Sequence, residues 1–322
     1  MPRFCHVPCG RRVGISLLVV ALLLLLAGCA NPTARLDAVG RGFDRSTVTA
    51  NGFRLTVFSN ERYQGSGTPL SRDPDVSRDR DATLPPADIP LHVYLEGDGS
   101  PWKWKVIITP DPTPRQPLML SLMGRDEASA VYVGRPCYNG TALDSGCGTK
   151  LWTSERYSES VVASMALAIR RLAAQSGATQ LRLFGHSGGG TLAMLLAARL
   201  PATVDVVTLA GNLDPDAWTR HHGYLALRGS LNPANEPPLD PSIRQWHLVG
   251  EADTVVPPAI TRPLIESQEN AIGLSFPSFT HGCCWSRIWP SLLRAVVSRE
   301  PGRLPGIPFR QAALPADARG DR

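Results

Sequence analysis

Gly185-His186-Ser187-Gly188-Gly189 sets a serine hydroxyl among glycines, directly after the apolar run 180–184 and directly before a helical periodicity that opens at Gly188. In a strand-turn-helix context the serine Oγ is lifted out of the carboxyl edge of a sheet, and side chains in place of the glycines would meet the neighbouring strand or helix. A hydroxyl is a weak nucleophile until a base takes its proton, so a histidine and a carboxylate that orients it must come from elsewhere. On such an elbow the acid follows the serine and the histidine follows the acid. Of the seven histidines, only His281 lies beyond Asp253, in a loop between the last apolar run and a helix. His186 adjoins the nucleophile on a sharp turn and cannot easily present its ring to the neighbouring Oγ. His247 falls inside an apolar run and reads as core, while His221 and His222 belong to a loop.

Asp253 is the preferred acid because it follows the buried run 245–249 after a short turn. Glu251 is its main competitor, and Asp214 and Asp216, after the preceding run, are the next alternatives. Acyl transfer also needs two donors for the oxyanion that develops on the attacked carbonyl. One candidate is the backbone N–H of Gly188, next after the nucleophile. The other is the N–H of Asp98 in Leu95-Glu96-Gly97-Asp98-Gly99, where Gly97 makes a tight turn after an apolar run and Glu96 precedes it. Trp102, Trp104, Trp218 and Trp285 read as core or general hydrophobic wall, with an acyl pocket as the alternative.

These residues must be held by a sheet. Runs at 91–95, 130–133, 180–184, 204–209, 245–249 and 273–276 are short, apolar and often β-branched, as strands buried on both faces are. Residues 53–58 alternate as an edge strand would. Helical periodicity spans 158–174, 188–200, 259–268 and 285–298, and its alternation with the strands implies a mainly parallel sheet covered on both faces. The proline-rich stretch 212–244 lacks a long amphipathic run, which argues against a large helical cap. The charged stretch 60–90 reads as a solvated excursion, and the tail 301–322 reads as disordered.

Arg3, Arg11 and Arg12 precede an apolar run over 13–27, shorter than the roughly 20 residues that a membrane-spanning helix needs. The run ends in Leu26-Ala27-Gly28-Cys29, which resembles the lipobox of bacterial lipoproteins, where cleavage before the cysteine leaves it acylated. This organisation gives a signal peptide over 1–28, a lipidated start and tether over 29–51, and one catalytic domain over 52–300. Removal of the three arginines lowers the formal net charge from +5 to about +2, too small an excess to argue for nucleic acid. In an oxidising compartment Cys137, Cys147, Cys283 and Cys284 should pair. A trans peptide would hold the Cα atoms of Cys283 and Cys284 about 3.8 Å apart, below the disulfide range. The expected bond is therefore Cys137 with Cys147, or a cross-link from one of them to the later pair.

From about residue 90 to 298 the chain resembles an α/β-hydrolase, on the elbow at Ser187, the turn at Asp253 and the late His281. More narrowly, Tyr94-Leu95-Glu96-Gly97-Asp98-Gly99, Arg135-Pro136-Cys137, Leu151-Trp152-Thr153 and Cys283-Cys284-Trp285 resemble a group of uncharacterised bacterial exported hydrolases, which supplies no substrate. The resemblance implies the fold and export; taken with the triad and the lipobox-like segment, the expectation is a membrane-anchored serine hydrolase acting on an ester or related acyl group, with no metal or organic cofactor. Amidases, peptidases and acyltransferases use the same residues, and a membrane-anchored binding module that kept the fold without turnover is the alternative of a different class.

Overall fold

The computed structural model describes residues 32–65, 90–104 and 106–310. The apolar run over 13–27, Cys29, most of the charged excursion and residues 311–322 lie outside the described residues. The chain opens with helix α1 (Pro32–Val39) and strands β1 (Asp44–Ala50), β2 (Phe53–Ser59) and β3 (Leu91–Leu95). A small hairpin of β4 (Trp102–Lys103) and β5 (Ile107–Ile108) leads to α2 (Leu118–Met123) and β6 (Ala130–Val133). Thereafter strands and helices alternate: α3 (Glu159–Ser176), β7 (Leu181–His186), α4 (Gly188–Ala197), β8 (Thr203–Leu209), α5 (Pro215–His222), β9 (Arg244–Gly250), α6 (Pro258–Ser267), β10 (Ala271–Phe276), α7 (Trp285–Ser298) and β11 (Ile307–Arg310).

The main sheet has the order β1-β2-β6-β3-β7-β8-β9-β10-β11. Its six central strands, β6 to β10, run parallel, while β1, β2 and β11 pair antiparallel at the two margins. Every residue of β3, β6, β7, β9 after Arg244, and β10 is buried, which explains the continuous apolar runs in the sequence. Alternate side chains feed two cores. Val93, Leu183 and Val206 pack with α3, α4 and α6 on one face, and Tyr94, Phe184 and Trp246 pack with α1, α2 and α7 on the other. Helices on both faces of a parallel sheet leave the carboxyl ends of the strands as the place where loops can gather side chains.

Three boundaries differ from the sequence reading. The segment assigned to a tether is folded from Pro32 onward: Leu36 is fully buried, and β1 pairs with β2 from Asp44↔Ser59 to Ala50↔Phe53. Strand 53–59 is therefore flanked on both sides, and the edge belongs to β1, whose Asp44-Arg45-Ser46-Thr47 start is exposed as an edge strand's should be. At the other end, residues 301–310 of the expected disordered tail form a turn and β11, because Ile307 and Pro308 pair with Ser275 and Leu274. The stretch 212–244 holds only α5 and a short turn at Pro233–Asn235, with no large cap.

Cys137 and Cys147 are disulfide-bonded, with Cα atoms 5.5 Å apart. Cys283 and Cys284 are bonded to each other, against expectation and excluding a cross-link to the earlier pair. The Cα separation does not decide this bond, because a cis peptide turns the two Cβ atoms to the same side. The Cys283–Cys284 bond is cis, and the Cα atoms lie 3.1 Å apart. Non-reducing peptide mapping of the folded protein should recover Cys137 linked to Cys147. Replacing both by serine should lower stability by about 2–3 kcal/mol in denaturant titration, the loop-closure entropy for a loop of this size.

Candidate active site

Strand β7 delivers the chain to Ser187, which turns it into α4 with φ 55° and ψ −122°. Non-glycine residues seldom adopt this backbone, and holding it costs on the order of 1–3 kcal/mol. The turn is fixed by its own peptide groups. The Ser187 N–H donates to the Leu209 carbonyl at 3.1 Å, and the Ser187 carbonyl accepts from Gly190 at 2.9 Å and Asn212 at 3.0 Å. The flanking glycines are sterically required. A Cβ on Gly185 would lie 2.2 Å from the Gly189 carbonyl oxygen, and one on Gly189 would lie 2.2 Å from that of Leu95.

The structure brings the other predicted residues to the same place. His281 Nδ1 lies 2.8 Å from Asp253 Oδ2, and the other oxygen, Oδ1, accepts the N–H groups of Val255 and Val256 at 2.8 and 2.9 Å. Asp253 is buried and His281 partly open. Competing carboxylates are engaged elsewhere: Glu251 pairs with Arg262, Asp214 accepts from the Ala217 N–H of α5 and from Asn232, and Asp216 from Asn232 and Asn235. The His281 carbonyl accepts the Trp285 indole N–H at 2.9 Å and lies 2.8 Å from His186 Nε2, so the loop carrying the ring is tied to both the elbow and α7. His186 is pushed down to about 4, by burial first and by His281 second. It is neutral at pH 7 and spends its Nε2–H on that carbonyl. His247 is core, 2.8 Å from Thr208 Oγ1, and His222 Nε2 meets the Val255 carbonyl.

Ser187 and His281 both line a cleft of about 1330 Å³ together with Glu96, Gly97, Asp98, Trp102, Trp218 and Tyr224. Trp102 and Trp218 stand on its wall, Trp104 is 73% exposed, and Trp285 is core. The loop of residues 96–98 crosses directly over the elbow, where a Cβ on Gly97 would be 3.4 Å from Ser187 Cβ. Among the described residues the N–H groups of Asp98 and Gly188 make no hydrogen bond, whereas that of Gly97 donates to Glu96 Oε1 at 3.3 Å.

What sequence reasoning missed is the anchor of this loop. The Asp98 carboxylate meets Arg135 Nη1 and Arg156 Nη1, each at 2.8 Å, and the Tyr157 hydroxyl at 2.7 Å. Burial alone would raise the Asp98 carboxyl, but the two guanidinium groups outweigh it and draw the group down to about 2. Arg135 also donates to the Glu96 carbonyl at 3.1 Å, and the Tyr138 hydroxyl to the Asp98 carbonyl at 3.2 Å. Asp98 Oδ1 sits where a side chain on residue 188 would begin, 2.0 Å from that Cβ position, so Gly188 must be glycine. Glu96 is buried in the adjacent wall, accepts the Met119 N–H at 3.0 Å, and is pushed up to about 7 by burial. The available signal was charge after a buried strand: Asp98 follows β3 and Arg135 follows β6.

Asp98→Asn would leave two buried cations without a counter-charge, a loss of about 3–5 kcal/mol. Because the folded-state carboxyl lies below its unfolded value of about 3.9, its stabilisation is complete above that pH and fades as pH falls toward about 2. Denaturant titrations should therefore show wild type losing its advantage over Asp98→Asn between about pH 4 and pH 2. A difference that stayed constant across that window would count against the ion cluster.

The sequence matches no protein-family model and no curated protein. In architecture it is similar to an esterase from Pyrococcus furiosus, with TM-score 0.51 at 10% identity over 83% of this chain and 95% of that one. It is similar also to puromycin hydrolase, with TM-score 0.52 at 18% identity over 81% of this chain, which spans 39% of that longer protein. The parallel sheet, the serine elbow between β7 and α4 and these likenesses agree on one architecture: the chain has the α/β-hydrolase fold.

Proposed function

We propose that this chain is a serine hydrolase acting on a carboxylic ester or related acyl group through an acyl-enzyme, with Ser187 as nucleophile, His281 as base and Asp253 as the orienting acid. The observation that carries the reading is the 2.8 Å contact of His281 Nδ1 with Asp253 Oδ2 in a loop that shares one cleft with the strained Ser187. With Nδ1–H donated to Asp253, the neutral ring keeps its lone pair on Nε2, the form that can accept a hydroxyl proton.

In the proposed reaction Ser187 Oγ attacks the acyl carbon as His281 Nε2 takes its proton, and the Asp253 carboxylate stabilises the imidazolium. The oxyanion is held by the N–H groups of Asp98 and Gly188, whose hydrogen-bonding capacity is otherwise unspent among the described residues. The imidazolium returns its proton to the leaving alkoxide, and a water activated by the same ring then releases the acid. The apolar wall of Trp102, Trp218, Tyr224, Leu225 and Val255 offers a surface on which an acyl chain could lie. An amidase, peptidase or acyltransferase would use the same groups, and a panel of esters, thioesters and amides separates them.

We further propose that Cys29 is acylated after removal of residues 1–28 and anchors the protein on the outer side of the membrane across which it is exported. The support is the lipobox-like Leu26-Ala27-Gly28-Cys29 after an apolar run.

A fluorophosphonate probe should label Ser187 in the folded protein and should not label Ser187→Ala. His281→Ala should reduce ester turnover by about 10⁶-fold and Asp253→Asn by about 10⁴-fold, and the losses should not add, because the three groups act as one unit. Folded protein that neither labels nor hydrolyses any member of the panel would return the reading to a binding module. Intact mass of the protein from its native membrane should begin at a diacylated or triacylated Cys29, and Cys29→Ser should abolish acyl incorporation; a retained 1–28 segment or an unmodified Cys29 in wild type would reject the anchor.

A further inference from the structure

The cleft is rimmed by side chains that a water-facing enzyme would not leave bare. The β4–β5 hairpin presents Trp104 at 73%, Val106 at 75% and Ile107 at 50% exposure, and the loop after α5 presents Leu225 at 90%. These segments border one opening: Trp102, at the foot of the hairpin, and Tyr224, Leu225 and Val255 all line the cleft that holds Ser187. The hairpin is firmly rooted. The Thr109 N–H donates to the Pro101 carbonyl at 3.0 Å, and Trp152 Nε1 donates to the Thr109 carbonyl at 3.1 Å. The exposed Trp104 and Val106 therefore project from a fixed base.

The exposed charges on the cleft lining have one sign. Arg35, Arg115 and Arg228 line the cleft, are exposed and pair with no carboxylate among the described residues, while Lys103 Nζ lies 4.4 Å from the Trp104 ring centroid. The carboxylates on the cleft lining, Glu96 and Asp98, are turned inward and spent on Met119 and on the two arginines. Tryptophan and aliphatic side chains beside lysine and arginine are what settles into the headgroup region of an anionic bilayer.

Chain length supplies the orientation. Cys29 lies three residues before Pro32, a reach of roughly 11 Å at full extension, and Arg35, one turn into α1, is already on the cleft lining. A lipid on Cys29 would hold this rim, and not the far side of the domain, against the membrane.

We propose that the cleft mouth is a bilayer-docking surface, in which the β4–β5 hairpin and Leu225 insert among anionic headgroups, so that the substrate is an acyl ester drawn directly from the membrane. The substrate half of this inference rests on the acyl-hydrolase reading, and the orientation on the acylated Cys29. The docking half rests on the rim alone. An acyl chain moving from bilayer to cleft along Trp102, Tyr224 and Leu225 need not cross water, and the transfer cost that would oppose its extraction falls accordingly.

The test uses the full chain reconstituted through its own N-terminal segment into phosphatidylethanolamine vesicles containing phosphatidylglycerol, with a bilayer-borne acyl ester and a short water-soluble ester as separate substrates. Val106→Asp/Ile107→Asp alters neither the cleft lining nor the proposed catalytic groups and leaves Trp104 in place as a reporter. Brominated lipid should quench wild-type tryptophan fluorescence and quench the variant much less. Turnover of the bilayer-borne ester should fall about tenfold or more in the variant, while turnover of the soluble ester stays unchanged, which also shows that the variant is folded. Replacing phosphatidylglycerol by phosphatidylcholine should weaken wild-type quenching. Equal quenching and equal bilayer turnover in wild type and variant would overturn the docking surface, as would a hairpin-dependent dimer seen without vesicles. Soluble-ester turnover without hairpin-dependent quenching would strike this inference and spare the hydrolase; hairpin-dependent quenching with no turnover of either ester would uphold the surface and strike the hydrolase.

Discussion

The Asp98 carboxylate and the two guanidinium groups that meet it are the contact on which the rest of the site depends. Arg135 comes from the loop after β6 and Arg156 from the approach to α3, so one carboxylate ties three separate loops together at the carboxyl edge of the sheet. Burying two cations is tolerable only because Asp98 stays ionised and Tyr157 completes its coordination. The same oxygen that meets Arg135 fills the space over Gly188, so the loop cannot settle onto the elbow unless residue 188 lacks a side chain. The Cys137–Cys147 bond begins two residues beyond Arg135 and closes the loop that holds this arginine in place.

Across the cleft the constraint is of another kind. His281 is fixed at both ends, by Asp253 on its ring and by His186 and Trp285 on its carbonyl, and only the first of these contacts involves a formal charge. Burial keeps His186 neutral, so the ring 4.8 Å from His281 does not set a second positive charge against the imidazolium that the proposed mechanism forms. Glu96, pushed toward neutrality in the opposite wall, limits the negative charge close to where an oxyanion would develop.

The parts of this arrangement that could be read in the sequence are those written in local pattern. Strands such as Leu91–Leu95 and Ala130–Val133 are buried on both faces and therefore appear as unbroken apolar runs. The elbow shows because its glycines sit consecutively around Ser187 between a buried strand and a helix, although only Gly185 is demanded by a nearby peptide, that of Gly189, while Gly189 is demanded by the distant Leu95 carbonyl; Asp253 and His281 show by the order of the strands they follow. Strand β1 escaped because an edge strand with an exposed polar start alternates too weakly to stand out from a tether. The Asp98 cluster escaped because its partners are separated by tens of residues, and nothing near Asp98 announces Arg156. The bond between Cys283 and Cys284 escaped because whether a peptide is cis, and so where it points two neighbouring Cβ atoms, is not written in composition.

The strand order carries a consequence for how the molecule is made. From β7 to β11 each new strand docks beside the one completed just before it, so this half of the sheet can grow in the order in which the chain emerges. The first half cannot. Strand β6 is inserted between β2 and β3, so both strands wait with a bare margin until residues 130–133 arrive, and β3 waits longer still for β7 on its other side. During that interval the nascent chain carries Val57, Val93 and Tyr94, all destined for full burial, on strands without their final neighbours. The interval in which this protein most needs shielding from its own kind therefore falls in mid-synthesis, after β3 has emerged and before β7 closes the gap.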